Sequence, residues 1–258
     1  MDDTNASRMC PRFIVYVKAA TNGETLGDCP FCQHVCMVMF MKMPENLYIV
    51  YPVNLQRKPT KFLELNPLGK VPVLEDTEMQ VVVKESFNIV SYIHNIFPLP
   101  KMFVGYKGRA KDFCAEIFPM LVTLLKNKDP KLRKEHLDNL LSELSKLNDY
   151  LLSYHKTGPY LLGPNLSDLD CTLLPQLRHV LVAGHYYQNF LVPAKMVPLH
   201  MYLMHGLACK AFRRTCCPVD EIIKGWAVHK IDLIEPVKTF QLLQKPSLKH
   251  LRHKHAKP

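Results

Sequence analysis

Apolar and polar positions follow one rhythm in the first part of the chain and another in the rest. "RFIVYVK" (Arg12–Lys18) is short, β-branched and aromatic, and predicts a buried strand. A polar loop, "AATNGETLGD", leads to Cys29, and Pro30 suits the first position of a helix, where its missing N–H is no loss. The apolar run after it predicts a helix to about Met41, ended by Pro44. "LYIVYPV" (Leu47–Val53) predicts a second strand, with Pro52 marking an edge position. A short helix is expected over Thr60–Leu65, then a hairpin of Val71–Glu75 and Met79–Val83 across "DTE". "ESFNIVSYIHNIF" has apolar residues at Phe87, Ile89, Val90, Ile93 and Ile96, close to helical spacing.

Past the two prolines of "FPLPK" strands give way to long helical periodicity, over Arg109–Lys126, Asp129–Tyr154, Ser167–Ala183, Pro198–Arg214 and Pro218–Leu233. Ser167 followed by Asp170 has the spacing of a capping box. The expected organisation is a disordered N-terminus (1–11), a small α/β unit (12–96), a linker (97–101), an all-helical unit (102–237) and a basic tail (238–258).

Composition changes this picture little. The 258 residues are 48% hydrophobic and 22% charged, which fits a folded globular chain. The net charge of +10 suits an anionic partner, and part of it is local: Lys238–Pro258 holds six Lys or Arg, three His and no acid. That tail could meet anionic lipid headgroups, while no aromatic-interleaved basic patch points to nucleic acid. No uncharged apolar run reaches the roughly 18 residues of a spanning helix. Nine cysteines with no secretory signal read as reduced cytosolic thiols.

The chemistry concentrates in "GDCPFCQHVCMVMF" (Gly27–Phe40). With Cys29 at a helix N-cap, its sulfur faces orphan N–H groups and the positive end of the helix dipole, so its pKa should fall. Cys32, one turn on, can act as a resolving thiol, and Cys36 should turn into the core. A metal site would recruit Cys29, Cys32, Cys36 and His34, but no second ligand pair lies at zinc spacing, so no metal is expected. The pair can also be two small residues packed at a helix start. An X-Pro bond at Val71–Pro72 can be cis and present backbone groups to the thiol, and Glu85–Ser86 open a helix whose free N–H groups can hold a carboxylate. Simple capping explains "ES" as well.

These features, with "NPLGKVPVL" and "NLSDLDC", resemble the glutathione-transferase superfamily. More narrowly, "YVKAATNGETLGDCPFCQHVCMVMFMK", "LSDLDCTLLPQLRHV" and "AFRRTCCPVDEII" resemble the chloride intracellular channel family. The resemblance implies an α+β, glutathione-transferase-like fold, with a thioredoxin-like N-terminal domain followed by an all-α domain. It implies a cytoplasmic protein that binds glutathione and catalyses glutaredoxin-like reduction. Reversible association with anionic membrane lipids, chloride transport and cytoskeletal partners are implied too. By motif position Cys29 carries over as the reactive cysteine, with Cys32 beside it. Lys18, Cys29, Pro30, Phe31, Val71, Pro72, Glu85 and Ser86 line the implied glutathione site, and the implied spanning segment runs from Cys29 through Met41 to Val50. The alternative is a purely soluble glutathione-dependent oxidoreductase, akin to dehydroascorbate reductases or omega transferases, with no channel role.

Overall fold

The computed structural model describes residues 11–102, 109–154, 157–231 and 233–234, so most of the expected N-terminal segment and the basic tail lie outside the described residues. Strand β1 (Phe13–Lys18) leads to helix α1 (Pro30–Lys42), a 3-10 turn at Glu45–Leu47, β2 (Tyr48–Val53) and α2 (Thr60–Leu65). Strands β3 (Val73–Asp76) and β4 (Val81–Lys84) follow, then α3 (Ser86–Ile96). The sheet order is β2-β1-β3-β4, with β1 and β2 parallel and the other pairs antiparallel. Strand β1 is central, and Phe13, Val15 and Val17 have no exposed surface. Strand β2, with Pro52, lies at an edge as the sequence predicts, because proline cannot serve both sides of a ladder.

The helical part comprises α4 (Arg109–Lys126), α5 (Pro130–Tyr154), α6 (Asp168–His179), α7 (His185–Gln188), α8 (Val197–Ala208), α9 (Lys210–Thr215) and α10 (Val219–Ala227). This arrangement is the expected transferase-like fold, a mixed four-stranded sheet unit followed by a helical one. Several boundaries differ from the periodicity. Strand β3 starts at Val73, just after the cis Val71–Pro72 bond, and β4 starts at Val81 after a four-residue turn. Asp76 Oδ1 shapes that turn by accepting the N–H groups of Glu78 and Met79, both at 3.2 Å. The helix expected over Pro198–Arg214 breaks at Cys209, whose backbone is extended and whose Sγ caps α9 by accepting the Phe212 N–H at 3.4 Å. The helix expected over Ser167–Ala183 loosens into a π-type turn at Val180–Gly184. The one expected to reach Leu233 ends at Ala227, where the chain closes tight turns and Lys230 takes a φ of 53°.

Helix α1 joins the two parts. It packs on α3 from its own unit and on α6 and α9 from the other, so apolar residues are needed on nearly every face, and only Phe31, Phe40 and Met41 in it escape full burial. Two of its buried polar side chains, His34 and Lys42, are paired, while among the described residues the buried Gln33 Nε2 has no hydrogen-bond partner. The His34 Nε2 lies 3.2 Å from Thr172 Oγ1, whose own hydroxyl donates to the Asp168 carbonyl. Lys42 Nζ donates to the carbonyls of Phe97 (2.7 Å) and Pro100 (2.8 Å), tying the end of α1 to the connection between the units. Among the described residues no helix is long and apolar enough to cross a membrane. The Cys29–Val50 stretch, with Met41 and Val50 both half-buried, is folded as α1, a 3-10 turn and the first half of β2.

Asp170 anchors the helical part. Its Oδ1 accepts the Leu161 N–H and the Tyr202 hydroxyl, both at 3.0 Å, while its Oδ2 accepts the Ser167 N–H (2.8 Å) and hydroxyl (2.6 Å). The capping box read from sequence is therefore present and extended by two more donors. Removing a carboxylate that satisfies buried donors costs roughly 1–3 kcal/mol for each group stranded. Asp170→Ala should thus lower unfolding free energy by about 3 kcal/mol or more, read as a reduced urea midpoint at constant slope.

Burial pushes the His34 pKa down to about 4, with the nearby His94 adding to the effect. A histidine whose folded pKa lies below its unfolded value takes up a proton on unfolding, so its linked stability is intact above about 6.5 and is lost as pH falls towards 4. The linked loss amounts to about 3 kcal/mol at one pKa unit per 1.4 kcal/mol. The acid-side slope of stability between pH 6.5 and 4 should flatten in His34→Gln, measured by denaturant titration at each pH.

Candidate active site

The register of the sheet brings the sequence-predicted residues to one end. Lys18 ends β1 opposite Val53, Tyr16 pairs with Val73, and Val73 pairs with Lys84. Pro72 precedes Val73 and Glu85 follows Lys84, so Lys18, Val71–Pro72 and Glu85–Ser86 share the edge from which α1 begins. The Lys18 N–H, donating to Cys32 Sγ at 3.4 Å, fastens α1 to that edge.

Cys29 is the N-cap of α1 and partly exposed; Pro30 behind it is buried and Phe31 stands 41% exposed at the rim. Its thiol is held below its ordinary pKa, first by a hydrogen bond with the Cys32 side chain, against the effect of burial, and then by the amides of Cys32 and Phe31. The direction is the one expected from sequence, but the neighbouring thiol contributes more than the helix amides, and no N–H closes a full capping hydrogen bond to the sulfur. Cys32 has no exposed surface, and its pKa is driven well up, by burial first and then by Cys29. The pair is therefore polarised, with the thiolate form favoured at Cys29 and Cys32 kept as the protonated partner. Cys36 is also buried, and burial pushes its pKa up to about 12.

Glu85 is exposed and has a φ of 67°, a backbone region that side chains rarely adopt. Such conformations cost roughly 1–3 kcal/mol and concentrate at functional sites. Ser86 begins α3, whose first amides receive no side-chain cap.

Five contributing residues were not foreseen from the sequence: Gly27, Asp28, His179, Trp226 and Glu221. The loop before Cys29 folds on itself through an Ala19–Leu26 bridge and the Gly27 N–H to Lys18 carbonyl bond at 2.7 Å. Gly27 is required there, because a Cβ would lie 2.5 Å from the Ala19 oxygen. Asp28 receives Lys18 Nζ at 2.7 Å, and its carbonyl lies 2.7 Å from His179 Nε2. Trp226 Nε1 donates to His179 Nδ1 at 2.9 Å. Glu221 accepts the Thr21 N–H at 2.8 Å and the Thr21 hydroxyl. A polar cleft of about 230 Å³ opens between this loop, the residues after β2 and α10, lined by Lys18, Asp28, Asn54, Gln56, Glu221 and Lys224. The signals available in the sequence were the single tryptophan and an aspartate beside the reactive cysteine.

The chain and its fold are similar to known proteins. A family model described as the CLIC-like N-terminal domain matches residues 11–93. The probable cytosolic glutathione S-transferase DHAR1 of Oryza sativa subsp. japonica is 32% identical over 215 residues, covering 83% of this chain and 96% of that protein. Chloroplastic glutathione S-transferase DHAR3 of Arabidopsis thaliana is 31% identical, over 86% of this chain and 82% of its own. Among solved structures, dehydroascorbate reductase from Chlamydomonas reinhardtii matches with a TM-score of 0.75 at 27% identity, over 84% of this chain and 98% of that one. The CLIC homologue EXC-4 from C. elegans shares the fold, with a TM-score of 0.71 at 22% identity over 92% of both chains. The chain belongs to the glutathione S-transferase family that includes these DHAR proteins. The likeness to the channel family extends to the N-terminal family model and the fold.

If the Cys32 thiol stabilises the Cys29 thiolate by donation, removing the donor matters more than changing its chemistry. Cys32→Ala should raise the midpoint of Cys29 alkylation by iodoacetamide by about one pH unit or more, whereas Cys32→Ser, which keeps an O–H, should shift it by less.

Proposed function

We propose that this chain is a glutathione-dependent thiol oxidoreductase of the dehydroascorbate-reductase type, with Cys29 as its nucleophile. The observation that carries the reading is the asymmetry of the two thiols: a partly exposed Cys29 with a lowered pKa beside a buried, protonated Cys32. Relatives named as DHAR transferases and a solved dehydroascorbate reductase of the same fold support the substrate class.

In this reading the Cys29 thiolate adds to a carbonyl carbon of dehydroascorbate, and the oxygen takes a proton. The thiolate of one glutathione then attacks Cys29 Sγ. The C–S bond breaks, its electron pair leaves with the two-electron-reduced ascorbate, and a Cys29–glutathione disulfide remains. A second glutathione thiolate attacks the glutathione sulfur, releasing oxidised glutathione and restoring the Cys29 thiolate. Cys32 is enclosed and poorly ionised, so it acts here as a hydrogen-bond donor to each Cys29 thiolate, and glutathione does the resolving.

Binding follows from the same edge. The backbone at Val71, turned by cis Pro72, can pair with glutathione's own peptide groups, and Ser86 with the uncapped amides of α3 can hold its γ-glutamyl carboxylate. In this reading Pro30 and Phe31 would wall the site beside the sulfur and Glu85 would take the γ-glutamyl ammonium, while Lys18 holds Asp28 in place. Chloride conduction, lipid binding and cytoskeletal partners form no part of this reading.

Cys29→Ser should lose glutathione-dependent ascorbate formation from dehydroascorbate by at least about a thousandfold, because a hydroxyl is not ionised at neutral pH. The Cys32→Ser protein should keep turnover within about tenfold of the parent. Full activity in Cys29→Ser would sink the proposal.

A further inference from the structure

The nucleophile is held from outside its own domain. His179, at the end of α6, reaches across to the carbonyl of Asp28, the residue before Cys29. Its other ring nitrogen accepts the Trp226 indole N–H from α10 at 2.9 Å. An indole can only donate, so Nδ1 carries no proton and Nε2–H must be the group that donates to Asp28. The order of donors is thereby fixed: Trp226, then His179, then the Asp28 carbonyl.

The Asp28–Cys29 peptide is trans, since the cis bonds of the described residues are at Pro72 and Pro100. A trans peptide is planar, with its C=O and N–H pointing in opposite directions. Fixing the Asp28 carbonyl toward His179 therefore fixes the Cys29 N–H, and with it the orientation of the first turn around the sulfur. Packing restrains the same point. Phe118 sets its ring edge-on to His179 (5.6 Å) and to Phe31 (5.7 Å), and any side chain at Gly225 would overlap the Asp28 carboxylate.

We propose that His179, locked in one tautomer by Trp226, is a positioning residue for the Cys29 nucleophile. The inference rests on the reading of Cys29 as the reactive thiol. The groups facing the imidazole are the Asp28 carbonyl and carboxylate, Lys18, Arg178 and Trp226. Burial, opposed by Asp28, brings the His179 pKa down to about 4, so the neutral ring required by the Trp226 bond is the form present across the working range. Protonation would give Nδ1 a hydrogen facing the indole N–H and break the chain of donors.

The test uses three variants of the full chain beside Cys29→Ser. His179→Leu removes both hydrogen bonds. Trp226→Phe keeps a ring but frees the tautomer. In His179→Gln an amide can accept from Trp226 and donate to Asp28. Two readings are taken: the pH midpoint of Cys29 alkylation by iodoacetamide, followed on the Cys29 peptide by mass spectrometry, and steady-state reduction of dehydroascorbate with glutathione. His179→Leu and Trp226→Phe should raise the midpoint by about one unit and lower kcat about tenfold, with KM for glutathione within about twofold, and His179→Gln should return both to within about threefold of the parent. An unshifted midpoint with unchanged kcat in Trp226→Phe, or a Gln variant as impaired as the Leu variant, overturns the proposal. Trp226→Phe decides the matter alone if His179→Leu does not fold. Turnover retained by Cys29→Ser would instead defeat the functional reading, and the alkylation midpoint reports the role of His179 independently of turnover.

Discussion

The structure depends on helix α1 being enclosed on nearly every side while the cysteine at its N-cap stays partly exposed. Those demands conflict. A helix wedged against α3, α6 and α9 needs apolar residues all round, and such surroundings disfavour a charged sulfur. The conflict is resolved by position. Cys29 sits at the N-cap, outside the packed cylinder, and Cys32, one turn in, supplies the donor that the apolar surroundings cannot. Its own enclosure keeps that donor protonated. The same burial that would raise the pKa of Cys29 thus also creates the partner that lowers it.

Local chemistry made much of this legible in the sequence. The β-branched run of β1, Pro30 at the first helical position, Pro52 on an edge strand and the Ser167–Asp170 capping box each report a preference that the tertiary structure leaves in place. The sequence failed where one residue's role depends on a distant one. Helical spacing continues through Cys209, and nothing in the spacing shows that its sulfur caps a new helix. For the site, Cys29 and its lowered pKa could be read from a helix start, but the identity of the leading cause could not, because it requires knowing that Cys32 is sealed from solvent. The roles of His179, Trp226 and Glu221 could not be read for the same reason: their partners, Asp28, His179 and Thr21, lie far away in the chain.

These long contacts make the helical part more than a lid. The loop from Ala19 to Asp28 closes little apolar surface of its own, and a loop of that kind samples many conformations when unsupported. Glu221 grips its tip, His179 its last carbonyl, and Gly225 leaves room for the Asp28 carboxylate to pack closely. Elements from the middle and the end of the helical part, α6 and α10, therefore converge on the one segment whose geometry the chemistry requires. A thioredoxin-like sheet alone would supply the edge and the cis peptide, but not these restraints.

The same packing bears on whether the Cys29–Val50 stretch could have a life in a bilayer. In this fold Cys32, Val35, Met37, Val38 and Met39 have no exposed surface. Burying side chains of this kind contributes about 1.5–3 kcal/mol each, so the segment holds on the order of 10 kcal/mol of the core's stabilisation. Lys42, satisfied by the carbonyls of Phe97 and Pro100, would lose both partners on leaving. Moving the segment into lipid would also carry Cys29 away from Lys18, Pro72 and His179 together. Thiol chemistry at this edge and a membrane-spanning form would be mutually exclusive states of the same residues, and the contacts described here stabilise the first.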